Sequence, residues 1–205
     1  MKKIALAVMA LCSLSAAAQD AAAPAVYQFE GWAFAGRLYF DQVDSAAAKK
    51  EGIKDSITTL QLAGDYNSQK WKTSLWLDIL MYNDERPFSQ WVEGSGWSNN
   101  GDISRESSTA GGMTLGVATG PQWVFGANGD NVAYLQGGFN AVIRSTREIA
   151  SCSNCYSEDI NIDGGALVVS GVEHHGENWF VGANLRHHLS GDLKTGFGLT
   201  LGYKF

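Results

Sequence analysis

His188-Leu189-Ser190 is the stretch of this chain with the most chemistry in it. Successive side chains on a strand alternate between faces, so His188 and Ser190 would share one face. An imidazole placed that way can take the proton of a nucleophilic hydroxyl. The four histidines form two pairs, His174-His175 and His187-His188. Strand neighbours point to opposite faces, so neither pair chelates one ion through both rings, and tilted strand separates the pairs by roughly 25–30 Å. No metal site and no cofactor are expected. Cys152-Ser153-Asn154-Cys155 lacks the two further ligands a zinc site needs and the thioredoxin-like setting of a redox pair. In an oxidising compartment Cys152 and Cys155 read as a small loop disulfide.

Composition narrows the elements that must position these groups. The 205 residues suit one large domain or two small ones. Only 18% are charged, while glycine (24) and aromatic residues (7 Trp, 7 Tyr, 9 Phe) are abundant. That is too apolar for disorder, and 15 Lys+Arg against 21 Asp+Glu excludes a basic nucleic-acid binder. Beyond the first segment no apolar run approaches the roughly 20 residues of a membrane helix. A glycine- and tryptophan-rich soluble β-protein remains, or one that crosses a membrane by strands.

The amino terminus decides the compartment. Met1-Lys2-Lys3 is followed by an apolar run over 4–14 and by Ser15-Ala16-Ala17-Ala18. This is the pattern of a secretory signal, expected to be cleaved before Gln19, with 19–205 as one domain. Leu11 before Cys12 is too large for a lipoprotein cleavage site. Losing Lys2 and Lys3 takes the formal charge from −6 to −8.

At the other end, Phe197, Leu199, Leu201, Tyr203 and Phe205 alternate with Gly196, Gly198, Thr200, Gly202 and Lys204. This stretch resembles the terminal assembly signal of bacterial outer-membrane β-barrels. The resemblance implies recognition by the barrel-assembly machinery and residence in the outer membrane of a Gram-negative envelope.

A transmembrane strand needs about 9–11 residues alternating apolar with polar or small side chains. Residues 71–82 do this, with Trp71, Leu75, Leu77 and Ile79 opposing Lys72, Ser74, Trp76 and Asp78. So do 56–66, 132–143 (with Arg144 continuing its polar face), 179–189 and 195–205. Less regular alternation marks 27–41, 111–125 and 163–174, the first with a phase slip between Phe29 and Trp32 that suggests a bulge. Eight strands result. Their connections alternate between short (67–70, 126–131, 175–178) and longer (42–54, 83–110, 144–162, 190–194), the asymmetry of outer-membrane barrels. The expected fold is all-β, an eight-stranded antiparallel transmembrane up-and-down barrel with both termini in the periplasm. It is similar to the small OmpX/OmpA-type barrels.

Eight strands enclose a lumen just wide enough for side chains to fill. Its polar set is read as Gln61, Asp65, Lys72, Asp78, Gln136, Asn140, Asn184, Arg186 and Lys204. Mixed charges in so narrow a space should pair, because an unpaired buried charge is costly. A plugged interior is therefore expected, with a narrow or gated solute pore as the alternative.

His188-Leu189-Ser190 also resembles the His-x-Ser of the outer-membrane lipid A 3-O-deacylases, themselves eight-stranded barrels. That resemblance would make His188 the base and Ser190 the nucleophile. The chain departs from the family: Gly191 stands where it has Asn, and 195–205 holds no carboxylate to orient the histidine. Asp192 is only a loop substitute, and His188 is expected to face the lumen rather than lipid. The preferred reading is non-enzymatic: a structural or surface-contact role through the outer loops, with Trp91 and Trp97 as candidate anchors. Expected partners are outer-membrane lipid and lipopolysaccharide, the assembly machinery and an unknown surface ligand, but no nucleic acid.

Overall fold

The computed structural model describes residues 30–93, 103–149 and 155–205. Its elements are β1 (Gly31–Val43), α1 (Ser45–Glu51), β2 (Ile53–Asn67), β3 (Trp71–Asp84), β4 (Ser89–Glu93) and β5 (Ile103–Ser107). β6 (Thr109–Phe125), β7 (Asn131–Glu148), β8 (Ser157–Asp159), β9 (Ala166–His175), β10 (Trp179–His188) and β11 (Leu193–Lys204) complete it. Hydrogen-bonded neighbours run β6-β3-β2-β1-β11-β10-β9-β7, and β6 pairs with β7 to close the ring. Eight antiparallel strands thus form a barrel whose ring has no open edge.

One end carries the tight turns 68–70, 126–130 and 176–178. Gly126 and Gly129 have φ of 96° and 68°, left-handed values that favour glycine. The other end carries everything the alternation did not reveal: α1, the β4–β5 hairpin, and β8 added to the upper part of β7. The connection expected over 42–54 holds the helix. Asp44 caps it, accepting from the amides of Ala46 (3.0 Å) and Ala47 (3.2 Å), and Gly52 (φ 68°) ends it.

Two local expectations are corrected. Arg144 is exposed on the outer wall, because a bulge opposite Met113/Thr114 lets β7 slip one residue and turns that side chain out of the lumen. In β1 the described irregularity lies between Asp41 and Val43 against β11, and Phe29 falls outside the described residues. β7 also runs on to Glu148, and β9 begins only at Ala166. There the Asn140 side chain accepts the Gly165 amide (2.9 Å), taking a ladder partner's place.

The barrel is apolar outside. Leu75, Leu199 and Leu201 are 50%, 51% and 65% exposed, and Leu38, Leu62, Leu115 and Leu135 continue the belt. Inside, four aromatic rings lie over the glycines directly opposite them: Tyr39 on Gly198, Trp76 on Gly116, Tyr134 on Gly171 and Phe180 on Gly202. A Cβ at any of these glycines would run into the ring. Ala33, Ala35, Ala63 and Ala118 fill the remaining space at the same apolar level.

Candidate functional site

The polar interior is built by inward side chains from opposite sides of the ring. Toward the short-turn end, Lys72 on β3 reaches across the lumen to both Glu173 oxygens on β9 (2.6 and 2.7 Å). Strands β6 and β7 separate β3 from β9, so this ion pair spans the barrel. Asp65 joins Lys72 (3.3 Å) to Arg37, and His175 Nε2 lies 3.1 Å from Glu173. Lys72 also stands over the Tyr134 ring, 4.5 Å from its centroid.

Nearer the loop end a second centre forms around Arg186 on β10. It pairs with Asp41 on β1 and, across the lumen, with Asp78 on β3 (3.0 Å). Its guanidinium carbon stands 4.0 Å from the Tyr39 ring centroid. Gln61 joins the two centres, accepting from Arg37 (2.8 Å) and donating to Asp78 (2.9 Å). Arg37, Lys72 and Arg186 face four carboxylates, Asp41, Asp65, Asp78 and Glu173. Neutral donors hold the excess negative charge: Thr59 donates to Asp41 (2.7 Å) and Thr114 to Asp78 (2.8 Å). The void among Arg37, Tyr39, Trp76, Tyr134 and Arg186 measures about 10 Å³, room for about one water.

Above this network the loop end is closed by an apolar cluster of Val43, Ala48, Ile53, Leu80, Ile160, Ile162 and Leu193. Arg147, fully buried, fastens it. Its guanidinium donates to Asp84 (2.9 Å), to Glu158 (3.1 Å) and to the carbonyls of Glu51 (3.0 Å) and Gly52 (3.1 Å) where α1 ends.

The remaining sequence-predicted residues fall as follows. Gln136, Asn140 and Asn184 are buried inside, with Gln136 donating to the Lys72 carbonyl (3.0 Å) and Asn184 to Thr200 (2.7 Å). Lys204 is also buried. Phe197, Leu199, Leu201, Tyr203 and Phe205 are exposed on the outer wall. His188 is buried and its Nδ1 donates to the Lys194 carbonyl (3.0 Å). Ser190 is exposed and its hydroxyl oxygen accepts from the Ala166 amide (3.0 Å). The two side chains are thus held by different partners. Trp91 is 68% exposed on β4, while Trp97 and Cys152 lie outside the described residues. Sequence reasoning missed Arg37, Asp41 and Glu173. Their signal was the alternation of inward positions 33 to 41 and 167 to 175, hidden by weak patterning at the strand starts.

Among solved structures, that of Neisserial surface protein A (NspA) is similar over 85% of this chain and 96% of that one, with a TM-score of 0.50 at 12% identity. The chain has the fold of the small eight-stranded outer-membrane barrels. Two structures of Ail, the attachment invasion locus protein of Yersinia pestis, also align with this barrel over 86% of its chain and 100% of theirs. The one in complex with the heparin analogue sucrose octasulfate has a TM-score of 0.47 at 14% identity, the other 0.45 at 15%. No protein-family profile and no curated protein sequence matches the barrel's sequence.

Proposed function

We propose that this chain is a non-enzymatic integral protein of the bacterial outer membrane, a closed barrel that holds its outer loops, 83–110 and 144–162, at the cell surface for structural or binding contacts. Residues 1–18 are removed on export, both termini lie in the periplasm, and Cys152 and Cys155 bond in the third loop. Lipopolysaccharide and lipid surround the barrel, and the assembly machinery inserts it through the Phe197–Phe205 pattern.

One observation carries the reading. The interior is crossed at two levels by ion pairs between non-adjacent strands, Lys72 with Glu173 and Arg186 with Asp78, beneath an apolar cap. A lumen filled this way leaves no wide aqueous path, so any specificity belongs to the loops. The membrane reading is supported by an aromatic ring at the short-turn end, where Trp32, Tyr66, Trp71, Trp123, Trp179 and Tyr203 are all exposed outward, and short turns at that end favour the periplasmic side for the termini. The separate tethering of His188 and Ser190 supports the non-enzymatic part.

Planar-bilayer recording of the refolded chain tests the proposal. A protein that runs at different gel positions with and without boiling, yet gives no steady openings, is expected. Steady single-channel openings would replace the closed barrel with a pore.

A further inference from the structure

Arg186, Asp41 and Asp78 meet at one level of the lumen, and on each of their strands the next inward position lies one step closer to the loop end. On β1 that position is Val43, on β3 Leu80 and on β10 His188. Ile57 on β2 and Leu193 on β11 belong to the same apolar cluster as Val43 and Leu80. All five side chains are buried, and His188 is the polar one among them. It stands between the charged centre and the apolar cap.

The imidazole is committed on one side only. Nδ1 donates to the Lys194 carbonyl (3.0 Å), which fixes the neutral tautomer and leaves a lone pair on Nε2. Nε2 is buried with no hydrogen-bond partner among the described residues. The charged groups that face the ring are Arg186 from its own strand, Asp41 from β1 and Asp78 from β3. Both carboxylates are already taken, Asp41 by Arg186 and Thr59, Asp78 by Arg186, Gln61 and Thr114. β9 sets Leu167 opposite His188, and the Lys194 ammonium is engaged by the Gly191 carbonyl (3.0 Å) and Asp44 (3.7 Å).

A proton on Nε2 would create a buried imidazolium two residues from Arg186, beside aliphatic side chains. A buried charge without a partner is costly. The ring can gain a partner by drawing a carboxylate off Arg186, or it can swing out of its layer. Either movement disturbs Val43 and Leu80 and the segment packed with them, Ile160 and Ile162. We infer that His188 is a pH-sensitive latch of the loop-end cap, holding it closed when neutral and releasing it when protonated. The closed cap keeps the ring unprotonated and the loosened cap admits a proton, so falling pH favours the loosened form. The ion pair of Arg147 with Glu158 passes the change to β8 and the third outer loop.

The test is hydrogen exchange on the full chain refolded in detergent micelles, each rate corrected for the intrinsic rate at that pH. Asp44→Asn is the background, so that the helix cap does not titrate. The Ile160 amide donates to the Ser145 carbonyl (2.9 Å) and the Ile162 amide to the Ile160 carbonyl (3.1 Å), so neither relies on a carboxylate acceptor. Between about pH 8 and about pH 5 their protection should fall about tenfold, the effect of one linked proton over one pH unit. The Leu75 and Leu77 amides of the wall should keep theirs. His188→Asn retains a donor in place of Nδ1 and His188→Phe retains the bulk; each is checked for its unheated gel shift, and each should lose the step. In the parent, the His188 ring carbon resonance should titrate with the same midpoint as the Ile160 step, a link that needs no variant. A parent without the step, a different midpoint, a step that survives in a folded variant, or wall protection lost together with it would overturn the latch.

Discussion

The indole of Trp76 on β3 occupies the space above Gly116, its directly opposite partner on β6. The pair shows how a lumen this narrow holds large rings: each needs a neighbour with no side chain. Gly116→Ala would force the indole from its place, at about 1–3 kcal/mol for overpacking a filled interior. Trp76→Ala should make the same glycine substitution nearly neutral. Urea titrations of the gel shift on the four members of the cycle measure that coupling.

Arg186→Ala should be more damaging. It leaves Asp41 and Asp78 buried without their shared cation, a loss of about 3–5 kcal/mol for a broken buried pair. Adding Asp78→Asn to Arg186→Ala removes one stranded charge and should recover part of that loss. Urea midpoints for the single and double variants check it, and a double variant no more stable than the single would contradict the pairing.

Asp44 gives the loop end a pH dependence of known sign. Amide hydrogen bonds from Ala47 and Ala46 hold its carboxyl below the usual carboxylate range. A depressed folded value means the cap is fully present above the ordinary carboxylate pKa and is lost as pH falls through the lowered one. Amide protection across Ser45–Glu51, corrected for the intrinsic exchange rate at each pH, should therefore fall in acid. Asp44→Asn, which caps without titrating, should flatten the profile, while Asp44→Ala should quicken exchange at every pH.

Ser190→Ala should leave lipid A unchanged, because His188 and Ser190 are tied to Lys194 and Ala166 rather than to each other. Mass spectrometry of lipid A from cells with and without the chain is the measurement. Loss of one ester-linked acyl chain that depends on Ser190 would make the protein an esterase.

Arg147→Ala should loosen the cap and spare the wall. The side chain ties α1, β3 and β8 together at one end, whereas the belt and the lower ion pairs do not touch it. Faster proteolysis within 149–165, with the unheated gel shift retained, is the expected outcome.

Much of this was legible in the residue order. Trp71 to Tyr82 alternates so regularly that Lys72, Ser74, Trp76 and Asp78 could be assigned to one face before any fold was known. Arg144 was misassigned because a bulge adds a residue to one strand without marking it in the pattern. The helix over Ser45–Glu51 carried no strand period and is short enough to pass for loop. Trp91 could be named as a loop aromatic, but not as the partner of Arg105, because their register belongs to the hairpin.

The sequence by itself determined the strand period, the number of alternating segments and which side chains lie on the apolar outer face. Those properties are local, because a pleated backbone turns each side chain opposite to the last. Only the closed barrel decided that Lys72 meets Glu173, that Arg186 meets Asp78, and that Trp76 finds Gly116 beneath it. Partners on strands far apart in the chain are set by the closure of the ring and by its stagger. No stretch of residues records either.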